Sequence, residues 1–250
     1  MGFIDEYRRQ YAFRPWGEIF AALPPLRGKT VLDLGCGPGD QAAELAARGA
    51  RVMGLDLNAE VVAYAAARGI PGATFRVADL KLPLEVDGPV DGLWSGFSAA
   101  YFTDLAPTLR RWSEVLRPGG FAAVVEIDDF FGHEPLPAAA RARFDAYADD
   151  GLAAGRYDFR MGRKLRASLE AAGLRVDREF RPRDRELAFD GPADPDALAA
   201  WRARFEWMGH FRQVCGADYE ATRDAFLACL ASPDHVSRAQ VVVAVATKPE

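Results

Sequence analysis

From residue 29 onward, short runs of β-branched and aliphatic residues alternate with segments in which apolar side chains return every three or four positions. Apolar runs of about four to seven residues between turn residues read as buried strands, and the helical return reads as helices with one buried face. Strands are predicted at 30–34, 51–55, 74–77, 92–94 and 121–127. Asp40 is placed to cap a helix running to Arg48 and stopped by Gly49, and Asn58 to cap one ending near Arg68 and stopped by Gly69. Pro107 suits a first helical turn, and that helix is expected to run through Leu116 before "RPGG" turns the chain into the fifth strand. This alternation is that of a parallel sheet wound with helices on both faces.

After Ile127 the rhythm changes. "DDFFGHEPLP" reads as a loop, and helical segments follow at 138–149 and 161–172, the second stopped by Gly173. A strand is predicted at 174–180, and "DGPADP" then breaks the chain. Beyond it, Leu198, Trp201, Phe205 and Met208 recur at helical spacing and mark one buried face. A further helix is predicted at 219–231, and "QVVVAVATK" closes the sequence as an apolar strand. No internal repeat or low-complexity linker divides the chain, so residues 1–250 are read as one domain. Within it, 1–27 form an N-terminal helical lid, 28–128 a binding core, 129–173 and 190–235 a helical cap over the substrate, and 236–250 the last strand.

Composition narrows the function. Half of the 250 residues are hydrophobic, enough for a full core, and the net charge of −5 argues against binding nucleic acid. Three scattered cysteines, Cys36, Cys215 and Cys229, make neither a disulfide framework nor a zinc cluster, which fits a reducing cytoplasm. The charged start "MGFIDEYRRQYAFRPW" lacks an apolar leader core, and no stretch is long and apolar enough for a membrane span. A cytoplasmic protein, monomer or homodimer, with no membrane and no nucleic-acid partner is therefore expected.

The candidate chemistry starts at "VLDLGCGPGD", where Gly35, Gly37 and Gly39 alternate directly after the first strand. In an open α/β sheet this first turn is the usual ligand cradle. A dinucleotide fold would show G-x-G-x-x-G, but Asp40 stands at the place of the last glycine and would repel a pyrophosphate. Asp33 lies just before the loop, a carboxylate for loop amides or a cationic ligand end. Asp56 closes the second strand in "GLDLN", where a carboxylate can accept both hydroxyls of a ribose. Asp79 closes the third in "VADL", with Leu80 beside it, placed to accept from an exocyclic adenine amine.

Taken together, "VLDLGCGPGD", "GLDLN", "VADL" and "LRPGGFAAVVEID" resemble the class I S-adenosylmethionine-dependent methyltransferases, over residues 28–128 and the final strand. The resemblance implies a Rossmann-like α/β fold with a mostly parallel seven-stranded sheet, an antiparallel last strand and helical cap insertions. It implies S-adenosyl-L-methionine as cofactor, with Gly35, Cys36, Gly37 and Gly39 under the methionine part, Asp33 behind them, Asp56 and Leu57 at the ribose, Asp79 and Leu80 at adenine, and Trp94 in the pocket wall. The nucleic-acid amine signature after the fourth strand is missing, since "LWSGFSAAYF" has neither of its prolines, and no paired-glutamate loop of arginine-directed enzymes is present. A small-molecule methyl acceptor remains.

Acceptor-side residues are expected from the loop that contains Tyr101, from "EIDDFFGHEPL" and from the N-terminal aromatics Tyr7, Tyr11, Phe13 and Trp16, which serve as lid or as core. His133 near Glu126 is the candidate proton acceptor, and Tyr101 completes the candidate catalytic set. His210 is expected to pack and His235 to be exposed. Asp128 and Asp129 invite a metal, but as neighbours in an extended segment they point to opposite sides, so none is expected. If Glu126, Asp128 and His133 face the pocket, its negative potential favours an amine, and N-methylation over O-methylation, with C-methylation open, in secondary metabolism. The competing readings are an NAD(P)-dependent oxidoreductase, which shares a glycine loop followed by a strand-end acid, and a diverted protein that binds the cofactor without methylating.

Overall fold

The computed structural model describes residues 3–250. It opens with α1 (Phe3–Tyr11) and α2 (Trp16–Ala21), then alternates β1 (Thr30–Leu34), α3 (Asp40–Ala47), β2 (Arg51–Asp56), α4 (Ala59–Ala67), β3 (Ala73–Val77), β4 (Val90–Gly96), α5 (Leu105–Ser113) and β5 (Leu116–Asp128). A short β6 (His133–Glu134) precedes α6 (Ala138–Ala153), α7 (Leu165–Ala171) and β7 (Arg175–Phe180). The remainder comprises α8 (Pro195–Trp207), α9 (Gly209–Cys215), α10 (Tyr219–Ala231), a second short strand β8 (Val236–Ser237) and β9 (Gln240–Thr247).

Seven strands form one sheet in the order β3-β2-β1-β4-β5-β9-β7. The first five pair in parallel, and β9 runs antiparallel between β5 and β7. One face packs α2 and α3 through Ile19, Phe20, Ala42 and Leu45, and this core continues into the cap. The other packs α5 and α7 through Leu109, Trp112, Leu165 and Leu169. Central strands covered on both sides are buried along their length: β4 is buried at every position, and β9 is buried and apolar from Val241 to Ala246.

The cap is an aromatic cluster rather than a second sheet. Phe131, Phe144, Trp201, Phe205, Phe211 and Phe226 are all buried, and Phe144 stacks on Phe211 with ring centroids 4.7 Å apart. Offset rings of this kind add about 0.5–1.5 kcal/mol per pair beyond the area they remove from water. The ribbon of β6 and β8 ties the segment after β5 to the segment before β9.

Three local expectations need correction. Gly39, at φ +82°, rather than Asp40, is the cap of α3, and Asp40 is instead its first residue, paired with Arg68 at 2.8 Å. Asn58 does cap α4, accepting from the backbone of Glu60 and Val61. The fourth-to-fifth strand helix stops at Ser113, because Leu116 already pairs with Val90 in the sheet. "RPGG" does turn, with Gly119 at φ +70° and the register against β4 jumping from Val90–Leu116 to Gly92–Phe121, and it is tied to the residue after β9: Gly119 N–H donates to Lys248 O, and Lys248 N–H donates to Gly120 O, both at 2.9 Å. The segment 161–172 begins as a 3-10 turn (Gly162–Lys164) and becomes a helix only at Leu165.

Candidate active site

The carboxyl ends of β1, β2, β4 and β5 open into a cavity of about 1120 Å³, roofed by α1 and the cap. The fold places it there because each parallel strand delivers its following loop to the same edge of the sheet.

Its floor is built mainly from backbone. Gly35, Gly37 and Gly39 all have positive φ, between +51° and +82°. At Gly35 a side chain has no room, since a Cβ would lie 2.5 Å from that of Ser98, whereas at Gly37 the missing Cβ leaves open space. The Asp56 carboxylate accepts from Gly37 N–H at 3.0 Å and from Asn58 N–H at 2.9 Å, so one side chain fixes both the glycine loop and the turn after β2. Gly35, Cys36, Gly37, Asp56, Leu57, Asp79 and Leu80 all line the cavity. Asp33 is fully buried behind the loop, and neither of its oxygens has a partner. Burial, with Asp56 nearby, pushes its carboxyl up to about 8. An unpartnered acid beneath a bare loop fits a ligand with a cationic end, and Asp56 with Asp79 fits hydroxyl and amine donors further along.

Two residues expected at the cofactor are elsewhere. Gly39 does not line the cavity but packs against Phe75 at the start of α3. Trp94 is fully buried in the core, stacked on Phe20 at 4.7 Å, because its position on β4 faces the helices. It acts at one remove, its indole N–H donating at 2.6 Å to Gln41, which does line the cavity.

On the acceptor side, Tyr101 ends a 3-10 turn (Ala99–Tyr101) at the cavity wall, edge-on to Tyr157 at 4.9 Å. Glu126 does not line the cavity. It is buried beneath that turn, accepting from Ala100 N–H at 2.9 Å and Ile127 N–H at 3.2 Å, and burial lifts its carboxyl to about 7 against the pull of those donors. His133 is also off the cavity: it is buried on β6, its Nδ1 2.9 Å from Nε2 of His235. His235 Nδ1 lies 2.9 Å from Gly191 O and therefore carries a proton. Its Nε2 then accepts from His133, and burial holds the His133 ring well below the ordinary histidine value, neutral. His235, expected to be exposed, is buried. His210, expected to pack, is half-exposed at the cavity mouth, 2.7 Å from Asp150. Asp128 pairs outward with Arg163. Of the N-terminal aromatics, Tyr7, Tyr11 and Trp16 line the cavity, whereas Phe13 is packed against Ala197 and Ala200.

The composition reading missed a pair of arginines in the wall. Arg14 donates through Nη1 to both oxygens of Asp184 and through Nη2 to Glu186 at 2.8 Å. Arg204 Nη2 meets the other Glu186 oxygen at 2.6 Å. The signal was present in α8, where Arg204 falls on the face that carries Ala197, Ala200, Trp201 and Phe205, a position that periodicity assigns to the interior.

Comparison with known proteins bears on the part of the chain that builds the floor. Residues 31–120, which span the loop, Asp56 and Asp79, match the model of the methyltransferase domain. Over those residues the chain matches a methyltransferase domain, as the class I S-adenosylmethionine-dependent motifs imply. It is 38% identical over 112 residues to a trans-aconitate 2-methyltransferase of Deinococcus radiodurans, covering 44% of this chain and 42% of that one. It is 34% identical over 137 residues to one of Mycobacterium tuberculosis, covering 54% and 51%. The match thus spans about half the length of these curated relatives. Among solved structures, an S-adenosylmethionine-dependent methyltransferase of Mesorhizobium loti aligns with a TM-score of 0.56 at 23% identity, over 92% of this chain and 96% of that one. A phosphoethanolamine N-methyltransferase of Haemonchus contortus aligns with a TM-score of 0.63 at 20% identity, over 99% and 57%. At those identities the likeness is one of fold, and it extends the methyltransferase architecture over the whole described chain.

Proposed function

We propose that this chain transfers the methyl group of S-adenosylmethionine to a small molecule held in the same cavity. One observation carries the reading: the cavity is continuous from the glycine loop, Asp56 and Asp79 to the aromatic cap, so a cofactor and an acceptor can lie side by side. Bound at the floor, the sulfonium supplies an electrophilic methyl group, and the residues described here align a nucleophile and keep water out. Gly35 and Gly37 would give the cofactor backbone contact, Asp56 and Asp79 would accept from its hydroxyl and amine groups, and the buried Asp33 carboxyl behind the loop, protonated for the most part near neutral pH when alone, would ionise when a cationic end is brought near.

Chemistry on the acceptor side falls to side chains of the lid and cap. Burial raises the phenols of Tyr7 and Tyr157, so both remain protonated near neutral pH and act as hydrogen-bond donors rather than bases. The sequence-level preference for nitrogen as acceptor rested on Glu126, Asp128 and His133 facing the pocket. None of the three lines it, and that ground for an amine is gone. A cytoplasmic setting in secondary metabolism remains part of the proposal, supported by three buried free cysteines and by a cavity of small-molecule size with aromatic residues in its wall. Among the described residues no helix is long and apolar enough to cross a membrane.

Calorimetry with S-adenosylmethionine, S-adenosylhomocysteine and NADH tests the cofactor. Micromolar binding of the first two, weakened about tenfold or more in Asp56→Ala, is expected, since that change removes a charged acceptor of two backbone donors. Binding of NADH alone would overturn the reading. Release of S-adenosylhomocysteine with an acceptor panel of amines, phenols and acids, trans-aconitate among them, separates a transferase from a protein that only binds.

A further inference from the structure

The geometry points to Arg204, set beside Arg14, as the site that takes a carboxylate of the acceptor and so selects for an acidic substrate with a flat, apolar body. This inference rests on the methyltransferase reading of the same cavity and adds to it the class of molecule that is methylated.

Three observations carry it. Glu186 holds both guanidinium groups, one on each carboxylate oxygen, which brings two cations side by side. Their counter-charges lie behind them: Asp184 and Glu186 are almost wholly buried and do not border the cavity, whereas Arg14 and Arg204 do. The cluster is neutral in sum, yet it turns its positive side toward the ligand space. A preorganised pair of cations whose partners sit on the far side is a receptor for an anion.

The second observation concerns Arg204 alone. Every terminal nitrogen of Arg14 is engaged by Asp184 or Glu186, but Nη1 of Arg204 is buried and has no partner. A charged donor enclosed in this way is costly until an acceptor reaches it. The guanidinium is seated rather than solvated: it lies over the rings of Phe130 and Trp201 at 5.1 and 4.6 Å from their centroids, and the side chain is buried. The third observation is the wall around it: Phe97, Phe130, Tyr157 and Phe159 give the acceptor lobe an aromatic lining.

One unsatisfied donor group in an aromatic slot fits a monoanionic, planar head on a conjugated body. A phosphate dianion would call for a second unengaged cation beside Arg204, and its neighbour Arg14 is already taken up, while Lys81 lines the cavity next to Asp79 and Leu80, at the cofactor end. The expected ligand class is therefore an aromatic or conjugated carboxylic acid.

The test uses the full chain loaded with S-adenosylhomocysteine and calorimetric titration with matched probes: benzoate against benzamide, cinnamate against cinnamamide, and indole-3-acetate against its amide. In the wild type at least one acid is expected to bind about 30-fold or more tighter than its amide, the size of one charge-assisted hydrogen bond. Arg204→Gln leaves Glu186 short of a cation and risks misfolding, so the charge-balanced double variant Arg204→Gln with Glu186→Gln accompanies it. In the double variant the acid-to-amide ratio is expected to fall to within about threefold while S-adenosylhomocysteine binds as before. A merely structural arginine would weaken acid and amide alike and leave their ratio unchanged, which would overturn the inference. Equal binding of acids and amides, or no binding of any acid, by a wild type that does bind S-adenosylhomocysteine would overturn it too, with the transferase reading intact. Failure to bind S-adenosylhomocysteine at all would remove that reading and this inference together.

Discussion

The two halves of the cavity are built by different means. The cofactor floor uses backbone: consecutive residues of one loop at the end of β1, held by a single carboxylate from β2. The acceptor roof uses side chains gathered from α1, the turn after β4, α6, and the α8–α9 region, residues up to about 200 positions apart in the chain. A backbone cradle tolerates few substitutions and needs particular residue types at fixed spacing. A side-chain roof can be refaced one residue at a time without disturbing the sheet. Under the proposed function, that difference would let the floor stay fixed while the roof changes with the acceptor.

Each half can be broken separately. The largest effect is expected in the roof: Trp201 is fully buried among Phe130, Phe226 and His133, so Trp201→Ala should cost about 3–5 kcal/mol of stability, read as a fall in the denaturant midpoint. If the two halves are as separable as their construction implies, the refolded variant loses acceptor turnover first and cofactor binding last. Next comes the floor. Gly35→Ala places a Cβ 2.5 Å from that of Ser98 at a φ of +79°, and S-adenosylhomocysteine affinity should drop about 100-fold. Calorimetry that finds less than a threefold loss would show the loop to be softer than its geometry.

Smaller effects follow from titration, and the two halves move in opposite directions. The Asp33 carboxyl, raised to about 8, binds its proton more tightly in the folded chain than in the unfolded one. Its contribution to stability is therefore full below about pH 4 and is lost as pH rises through 8. Asp33→Asn should raise the Tm of the ligand-free protein at about pH 9, leave it nearly unchanged at about pH 5, and weaken S-adenosylmethionine binding. An equal gain at both pH values would rule out a buried charge as the cause. His133 and His235 are held below the ordinary histidine value. Their neutral pair stabilises the cap above about pH 6.5 and is lost as pH falls below it, since the unfolded chain then takes up protons that the folded one refuses. Hydrogen exchange should show β6 and β8 opening faster at about pH 5 than at about pH 7.5, while β1 shows no such acceleration.

The same division decided what could be read from sequence. Strands β1 to β5, the cap at Asn58, and the loop with Asp56 and Asp79 were legible because local chemistry determines them: an apolar run, a turn and an acid in one short segment. Trp94 was misplaced because the alternation of a fully buried strand does not say which face is which. His133 was misread for a different reason. Chain position put it just past a strand end beside acids, but its environment is set by His235, about 100 residues later, and by Phe226 and Trp201. The ribbon that pairs β6 with β8 has only two residues per strand, too short to leave a pattern. Arg14 and Arg204 were missed because an arginine looks like surface until its partner is known, and their shared partner Glu186 lies in an irregular segment.

The position of β9 also bears on how the chain is made. This strand lies between β5 and β7 and pairs with both. On the ribosome β5 and β7 emerge first and stay without their shared neighbour until residues 240–247 have been synthesised. During that interval β5 presents an unpaired apolar edge, and the strand beneath the cap has no inner support. Completion of the sheet is a late, long-range event that invites help from chaperones, and a stalled nascent chain lacking β9 is a target for quality control rather than a partly active protein.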